Sequence, residues 1–151
     1  MPVPAFTLRP AQEEDVPFLL RLRELAMDPH HRAAGIVQTP AEMVQRVRNF
    51  FDEAQVVEVG GAPVGLWKLH REPAQWWVIQ VQLMPAFQGL GIGASLMGGL
   101  LEQARAAGVP VKLKVLKSNP ARRLYERLGF VIAADEGHGD EMVWRGQPRA
   151  R

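Results

Sequence analysis

The chain contains no cysteine among its 151 residues. This absence excludes disulfide bonds, cysteine metal sites and a covalent acyl-cysteine intermediate. It is compatible with a reducing compartment, and we expect the protein to be cytoplasmic. The four histidines lack metal-site spacing, so no metal is expected.

Long apolar runs and a strong charge imbalance are also missing. The uncharged stretch Pro73–Leu101 is interrupted by glutamines, glycines and Pro85, which excludes a membrane span. The N-terminus has no basic region followed by an apolar run, so no signal peptide is predicted. The net charge is only +2, and part of the surplus lies at Arg145, Arg149 and Arg151. This is typical of a solvated tail and does not favour nucleic-acid binding.

The length and a hydrophobic share of 47% predict one domain spanning residues 1–151. Strands and helices follow one another along the chain, which predicts an α/β fold with a mixed sheet flanked by helices. Adjacent Trp76 and Trp77 must point to opposite faces of their strand, so only one can line a given cleft. Strands are predicted at Val3–Leu8, Val56–Val59, Val64–His70, Trp76–Leu83, Val111–Leu116, Phe130–Ala133 and Glu141–Arg145.

Four helices are predicted between these strands. The first spans Glu13–Met27 and is followed by a loop at Asp28–Gln38. The second begins with N-cap chemistry at Thr39 and ends near Ala54. Two later helices, Gly93–Ala107 and Pro120–Leu128, each end at a glycine. The residues of the first helix expected to face the core are Val16, Leu19, Leu20, Leu25 and Met27.

The most informative segment is Gln88–Gly93, which reads Gln-Gly-Leu-Gly-Ile-Gly and leads into a predicted helix. Three glycines allow a tight turn and a close approach to a ligand. The unpaired N–H groups and the positive dipole end of a helix start form a site for phosphate. No acidic residue occurs between Gly91 and Leu101, so no local carboxylate competes with an incoming anion.

Two other phosphate loops do not fit this segment. A dinucleotide-binding fingerprint requires glycine where Leu96 stands, and a P-loop requires lysine and a hydroxyl residue where Ala94 and Ser95 stand. The pattern Gln/Arg-x-x-Gly-x-Gly/Ala is met by Gln88, Gly91 and Gly93. This pattern resembles the acyl-coenzyme A pyrophosphate loop of the GNAT family of N-acetyltransferases.

Other segments share the resemblance. Asn119–Phe130 is similar to the family's short helix with an Asn near its start, a Tyr near its end and a closing Gly-Phe. Val81–Pro85 is similar to the strand and proline that precede the loop, and Thr7–Val16 has the family's opening. The resemblance implies a largely antiparallel sheet in which the strand ending at Leu83 and the strand Val111–Leu116 lie parallel and then splay apart.

The resemblance also implies a co-substrate, acetyl-coenzyme A. Its pantetheine arm would pair like an extra strand with backbone groups that the splay leaves open. Most contacts would come from the main chain. The residues implied by position are Val81, Gln82 and Leu83 for pantetheine, and Gln88, Gly89, Leu90, Gly91, Ile92, Gly93 and Ala94 for the pyrophosphate.

Tyr125 is the only tyrosine in the chain. The resemblance implies that its hydroxyl donates a proton to the departing thiolate, and a phenol can in any case stabilise a negative sulfur by a hydrogen bond. The alternative is a tyrosine that only anchors its helix beside Leu124 and Leu128.

Asn119 precedes Pro120, which is the pattern of a helix N-cap. The resemblance adds a cofactor contact. Many family members place this Asn seven residues before the Tyr, whereas Asn119 lies six before Tyr125 and Ser118 holds the seventh place. The cofactor contact therefore stays open, and the cap and the contact are compatible.

Acetyl transfer requires a group that takes a proton from the acceptor amine, since an ammonium is mostly protonated at neutral pH. In several members of the resembling family a carboxylate on the strand before the loop serves, but the strand Trp76–Leu83 offers none, and Gln80 cannot be a base. By analogy with the family, the Asp28–Gln38 loop with its two histidines and the hairpin around Gly137–Asp140 border the acceptor site. The remaining candidates for the base are Glu58, His70, His138, Asp140 and Glu141.

The sequence thus predicts an acetyl-coenzyme A-dependent N-acetyltransferase that acts by direct attack in a ternary complex. The acceptor is a small amine, an amino acid, a protein N-terminus or lysine, or an aminoacyl-tRNA, and the sequence does not rank these. The alternative is a non-catalytic acyl-coenzyme A-sensing or interaction module, which the missing strand carboxylate suggests. A homodimer is common in the family, and no membrane partner is expected.

Overall fold

The computed structural model of the protein describes residues 2–146, without the side chain of Asp28. The predicted basic tail at Arg149 and Arg151 lies outside the described residues. Among residues 2–146, no helix combines the length and apolar character that a membrane crossing requires.

Seven strands form one sheet in the order β1-β2-β3-β4-β5-β7-β6. Neighbouring strands are antiparallel except for the parallel pair β4 and β5, which confirms the mixed, largely antiparallel sheet. The strands are β1 (Thr7–Pro10), β2 (Ala54–Val59), β3 (Ala62–Arg71), β4 (Trp76–Leu83), β5 (Val111–Leu116), β6 (Val131–Asp135) and β7 (Gly139–Trp144).

The helices of the described chain are α1 (Val16–Ala33), α2 (Pro40–Arg48), α3 (Ile92–Ala107) and α4 (Arg122–Arg127). Short 3₁₀ turns lie at Glu13–Asp15, Phe51–Glu53 and Pro85–Phe87. The predicted cap of α2 is confirmed: Thr39 Oγ1 accepts the Glu42 N–H at 3.2 Å, and the Glu42 carboxylate accepts the Thr39 N–H at 3.1 Å.

The sheet separates two apolar clusters. Neighbouring β3 residues Leu66 and Trp67 belong to different clusters, because successive side chains of a strand point to opposite faces. Helices α1 and α2 pack with Leu66, while α3 and α4 pack on the side of Trp67. The protein therefore has helices on both faces of its sheet.

Several predicted boundaries are wrong. The first strand is Thr7–Pro10 rather than Val3–Leu8. Residues 28–33 continue α1 rather than forming a loop, with Pro29 inside the helix. One tertiary and one local hydrogen bond hold this turn: Ser118 Oγ donates to the His30 carbonyl at 2.8 Å, and the Ile36 N–H donates to the His31 carbonyl at 2.7 Å.

Helix α2 ends at Arg48 rather than near Ala54. Phe50 adopts a left-handed conformation with φ of 55°, which an α-helix cannot contain. The buried Lys68 ammonium donates to the carbonyls of Arg46, Val47 and Asn49 at 3.3, 3.1 and 2.5 Å, so it satisfies the helix end from the sheet.

The predicted core face of α1 is partly wrong. Leu19 is buried, but Leu25 is 44% exposed. Val16, Leu20 and Met27 are only partly buried. The buried apolar stripe of α1 is formed by Phe18, Leu19, Leu22 and Ala26.

The splay between β4 and β5 is present. The pair is in register at Trp76 and Val111, Trp77 and Lys112, and Val78 and Leu113. Beyond Val78, β4 pairs only with β3 and β5 pairs only with β7, although both strands continue. A gap therefore opens toward the carboxyl ends of these two strands.

Candidate functional site

The glycine-rich segment connects β4 to α3. Gly89 and Gly91 have φ of +73° and +92°, which only glycine adopts without strain. Gly91 is the N-cap of α3, and its carbonyl accepts the Ser95 N–H at 2.9 Å, the first hydrogen bond of the helix. The N–H groups of Ile92, Gly93 and Ala94 consequently have no acceptor within the helix.

Gln88 holds this turn against the strand that precedes it. Its side-chain amide donates to the Leu83 carbonyl at 3.0 Å. Glutamine at this position therefore shapes the loop, whatever further contact it makes.

A cavity of about 560 Å³ lies in front of the turn, and we call it the loop cavity. Arg127 borders it, and among the described side chains no carboxylate does. A helix start that lacks nearby acids is electrostatically suited to an anion. Of the predicted site residues, all but Leu90 border the loop cavity: Val81, Gln82, Leu83, Gln88, Gly89, Gly91, Ile92, Gly93, Ala94, Asn119 and Tyr125.

The outer side of the turn packs against the N-terminal segment. A Cβ atom on Gly91 would lie 2.9 Å from Cγ2 of Val3, whereas a Cβ atom on Gly93 would meet no atom within 4 Å. Gly91 is thus constrained by both its φ angle and its neighbour, and Gly93 faces open space.

Tyr125 lies on α4 and is 6% exposed. Its ring packs at 5.9 Å, between centroids, against Phe130. Burial raises the pKa of Tyr125 to about 12, so the phenol is protonated at neutral pH. The structure thus leaves Tyr125 able to donate a proton and also shows the packing role of the alternative interpretation.

Asn119 organises the turn before α4. Its side-chain oxygen accepts the Ala121 N–H at 2.9 Å, and its carbonyl accepts the Arg122 N–H at 3.2 Å. The predicted capping interaction is therefore present, although α4 itself begins at Arg122. Asn119 also borders the loop cavity.

A second cavity of about 400 Å³ lies across the splay, and we call it the hairpin cavity. It is bordered by α1, by the end of α2, by β4 and β5, and by the β6–β7 hairpin. Trp77 borders it, whereas Trp76 packs toward the apolar core, as their opposite orientations require. The residues that border both cavities are Met27, Val81, Gln82, Asn119 and Tyr125.

Asp140 is the one of the five candidate bases that borders the hairpin cavity. It is 2% exposed, with Oδ2 at 2.8 Å from Arg122 Nη1 and Oδ1 at 3.7 Å from Lys117 Nζ. The carboxylate is therefore held between two cations. The hairpin around Gly137 contributes to this cavity through Glu136, Gly139 and Asp140.

The other four candidates lie elsewhere. Glu58 accepts from Arg9 Nε at 2.9 Å, His70 Nδ1 lies 2.6 Å from Glu53 Oε1, and Glu141 lies 3.8 Å from Lys112 Nζ. His138 is exposed. Each of these side chains is outside the lining of both cavities.

Sequence reasoning did not name two possible proton acceptors of the hairpin cavity, His31 and Glu136, among the candidate bases. His31 is 7% exposed and follows Met27 by four residues, on the same face of α1. The spacing of four residues from Met27 could have placed His31 on this face of a helix, but Pro29 favoured a loop at this point. Glu136 is partly exposed at the hairpin, 3.5 Å from Lys114 Nζ.

Metal ligands are not assembled at either cavity. Within residues 2–146, no group of three His, Asp or Glu side chains is placed to hold a metal ion.

Comparison with known proteins links this fold to a family. Residues 19–130 match the model of the Acetyltransferase (GNAT) family. The [ribosomal protein bS18]-alanine N-acetyltransferase of Haemophilus influenzae is 41% identical over 54 residues. That match covers 35% of this chain and only 37% of the relative.

Two solved structures illustrate the similarity of the fold. The PaiA N-acetyltransferase of Thermoplasma acidophilum, in complex with coenzyme A, has a TM-score of 0.72 at 13% identity, covering 93% of this chain and 99% of that one. The ribosomal-protein-S18-alanine N-acetyltransferase of Escherichia coli has a TM-score of 0.64 at 18% identity, covering 92% and 91%. At such identities the similarity establishes the fold alone.

Proposed function

The chain belongs to the acetyltransferase (GNAT) family, and from this premise we propose that it transfers the acetyl group of acetyl-coenzyme A to a primary amine. The loop cavity takes the coenzyme, and the hairpin cavity takes the acceptor. One observation carries the proposal: the start of α3, free of carboxylates, and the buried phenol of Tyr125 border the same cavity.

The residues of the loop cavity fit the coenzyme. The main-chain N–H groups at Gly91–Ala94 suit a pyrophosphate, since they converge at a helix start. The open edge of β4 at Val81–Leu83 suits an amide-bearing arm, because that arm can pair with backbone groups beyond the end of the β4–β5 ladder. Acetyl-coenzyme A supplies the thioester carbonyl that the amine attacks.

Tyr125 donates the proton that the departing thiolate requires. Because its pKa is raised to about 12, the phenol holds its proton until sulfur carries negative charge. The position of Tyr125 at the border of both cavities supports this role.

The acceptor class includes protein N-termini. Support comes from the [ribosomal protein bS18]-alanine N-acetyltransferase of Haemophilus influenzae, which is 41% identical over 54 residues. Its name gives an alanine of a ribosomal protein as the acceptor. That match spans about a third of each chain. We therefore place peptides beginning with alanine first in an acceptor panel that also contains free amino acids, lysine peptides and small amines.

Release of free thiol from acetyl-coenzyme A across this panel tests the proposal. Turnover with at least one amine, and acetylation of that amine by mass spectrometry, is the expected result. Thermal stabilisation by acetyl-coenzyme A without turnover on any amine would instead indicate an acyl-coenzyme A-sensing module. That second candidate is favoured by the absence of a carboxylate on β4.

A further inference from the structure

We infer that His31 is the base that takes a proton from the acceptor amine, an assignment that rests on the proposed acetyl transfer. His31 was expected in a loop, and the structure instead places it on the last turn of α1 at the hairpin cavity. Its imidazole is a proton acceptor of the kind that neutral-pH chemistry uses most often.

The position of His31 along α1 supports the assignment. Met27, four residues earlier, borders both cavities. Four residues advance a helix by about 6 Å, so His31 lies one turn from the junction and borders only the hairpin cavity. An amine that enters through the hairpin cavity would approach the junction past this side chain.

The last turn of α1 is fixed relative to Tyr125. Ser118 Oγ donates to the His30 carbonyl at 2.8 Å, which joins this turn to the segment before α4. The Ile36 N–H closes the turn on the His31 carbonyl at 2.7 Å. The proposed proton acceptor and proton donor are thus positioned by two elements that are bonded to one another.

The carboxylates at the hairpin cavity are already engaged by cations. Protonation of Asp140 would remove its charge from the buried ion pair with Arg122, which is costly to break. The Glu136 side chain is 41% exposed and paired with Lys114, whereas His31 is buried. Among the described side chains, the remaining charged or titratable groups that border this cavity are Arg23, Arg46 and Tyr125.

His31 and Tyr125 together account for every proton that moves in the proposed reaction. A neutral imidazole of His31 removes one proton from the acceptor ammonium. The amine nitrogen then forms the C–N bond as the C–S bond breaks, and the thiolate takes the Tyr125 proton. The second nitrogen proton restores the phenol, and the imidazolium releases its proton to solvent.

The test compares His31→Gln with His70→Gln, a histidine on β3 outside both cavities. With the best acceptor of the panel, kcat/KM of His31→Gln should fall by about 100-fold. The acidic limb that an imidazole base gives to the wild-type pH profile should disappear. His70→Gln should match the wild type, and thermal stabilisation by acetyl-coenzyme A should be equal in all three proteins.

Undiminished kcat/KM and an unchanged acidic limb in His31→Gln would overturn the assignment while acetyl transfer still stands. Failure of the wild type to acetylate any amine would overturn the proposed function itself. His31→Ala provides a second variant: recovery of rate by added imidazole supports the base role. A loss of rate that imidazole does not relieve, in a variant that binds acetyl-coenzyme A normally, contradicts it.

Discussion

At the residue scale, Tyr125 combines a chemical group with a packing position. Its ring contacts Phe130 in the apolar core, while its residue borders both cavities. Desolvation raises its pKa to about 12, which keeps the proton on the phenol throughout the working pH range. Packing and proton donation are therefore compatible in one side chain.

Tyr125→Phe should lower kcat by about 100-fold, because it removes the hydroxyl that we propose as the proton donor to the thiolate. The ring contact with Phe130 is retained, so the melting temperature should change little. Thiol release and a thermal melt measure the two effects. An unchanged kcat would show that the hydroxyl has no part in transfer.

Gly93→Asp should weaken the binding of acetyl-coenzyme A at least 10-fold without lowering the melting temperature. Its Cβ meets no atom within 4 Å, and a carboxylate in the first turn of α3 stabilises the helix while repelling a pyrophosphate. Gly91 is a poorer probe, because substitution there is strained and meets Val3.

Gly99→Asp is the matched control for this experiment. Gly99 lies in the same helix, its Cβ also faces open space, and it is outside the loop cavity. Calorimetric titration with coenzyme A should give Gly99→Asp the affinity of the wild type. If Gly93→Asp also bound coenzyme A with wild-type affinity, the anion site would lie elsewhere.

At the scale of elements, the hairpin cavity depends on where α2 ends. The Lys68 ammonium holds the last carbonyls of α2 from inside the sheet, and Arg46 and Asn49 of this segment border the cavity. Burial, with a smaller contribution from Arg23, lowers the pKa of Lys68 to about 8. The buried Lys68 ammonium thus fixes the end of α2 relative to β3.

This pKa predicts how stability depends on pH. Between pH 8 and about 10.5 the unfolded chain holds the Lys68 proton and the folded protein does not, so the free energy of unfolding rises with pH. The slope from this one group approaches 1.4 kcal/mol per pH unit. The contribution of Lys68 to the free energy of unfolding is greatest above pH 10.5, falls as the pH decreases from 10.5 and is lost once the pH has passed through about 8.

Lys68→Met should lack this slope. Urea melts of both proteins at several pH values measure the difference, in which Tyr125 and the other titrating groups common to both cancel. Parallel curves for the two proteins would contradict the lowered pKa of Lys68.

At the scale of the whole molecule, two cavities meet at the gap between β4 and β5. Met27, Gln82 and Tyr125 border both. In the proposed function, the coenzyme and the acceptor occupy these two cavities together, and the amine attacks the thioester directly. The chain has no cysteine to carry an acyl group.

Incubation with acetyl-coenzyme A alone should therefore leave the protein unacetylated at its active site. Intact-mass measurement and exchange of labelled coenzyme A into acetyl-coenzyme A check this outcome. Exchange should be absent without an acceptor. Exchange at a rate comparable with turnover would indicate a two-step transfer instead.

The loop could be predicted from the sequence because its physics is local. Positive φ at Gly89 and Gly91, a helix start after them and the lack of nearby acids are all properties of consecutive residues. The cap at Thr39 is local in the same sense. Such features need no knowledge of which distant segments meet.

The other side of the site depends on long-range contacts. Pro29 predicts a loop, but residues 28–33 are helical in the structure. The hydrogen bond from Ser118 to the His30 carbonyl, across 88 residues of sequence, holds this turn. Likewise, α2 ends where Lys68 reaches its carbonyls from β3, so the end could not be read from α2 alone.

By itself, the sequence determined the glycine turn before α3 and, through its resemblance, the largely antiparallel sheet, since local conformation and motif carry these. Anion binding by this turn and the role of Tyr125 stay predictions. Only the tertiary structure decided which ionisable groups share a cavity. It excluded Glu58, His70, His138 and Glu141 from the cavity lining, kept Asp140, and added His31 and Glu136. The physical reason is that proton transfer depends on proximity in space, which α1 and the hairpin acquire only by packing against the same splayed strands.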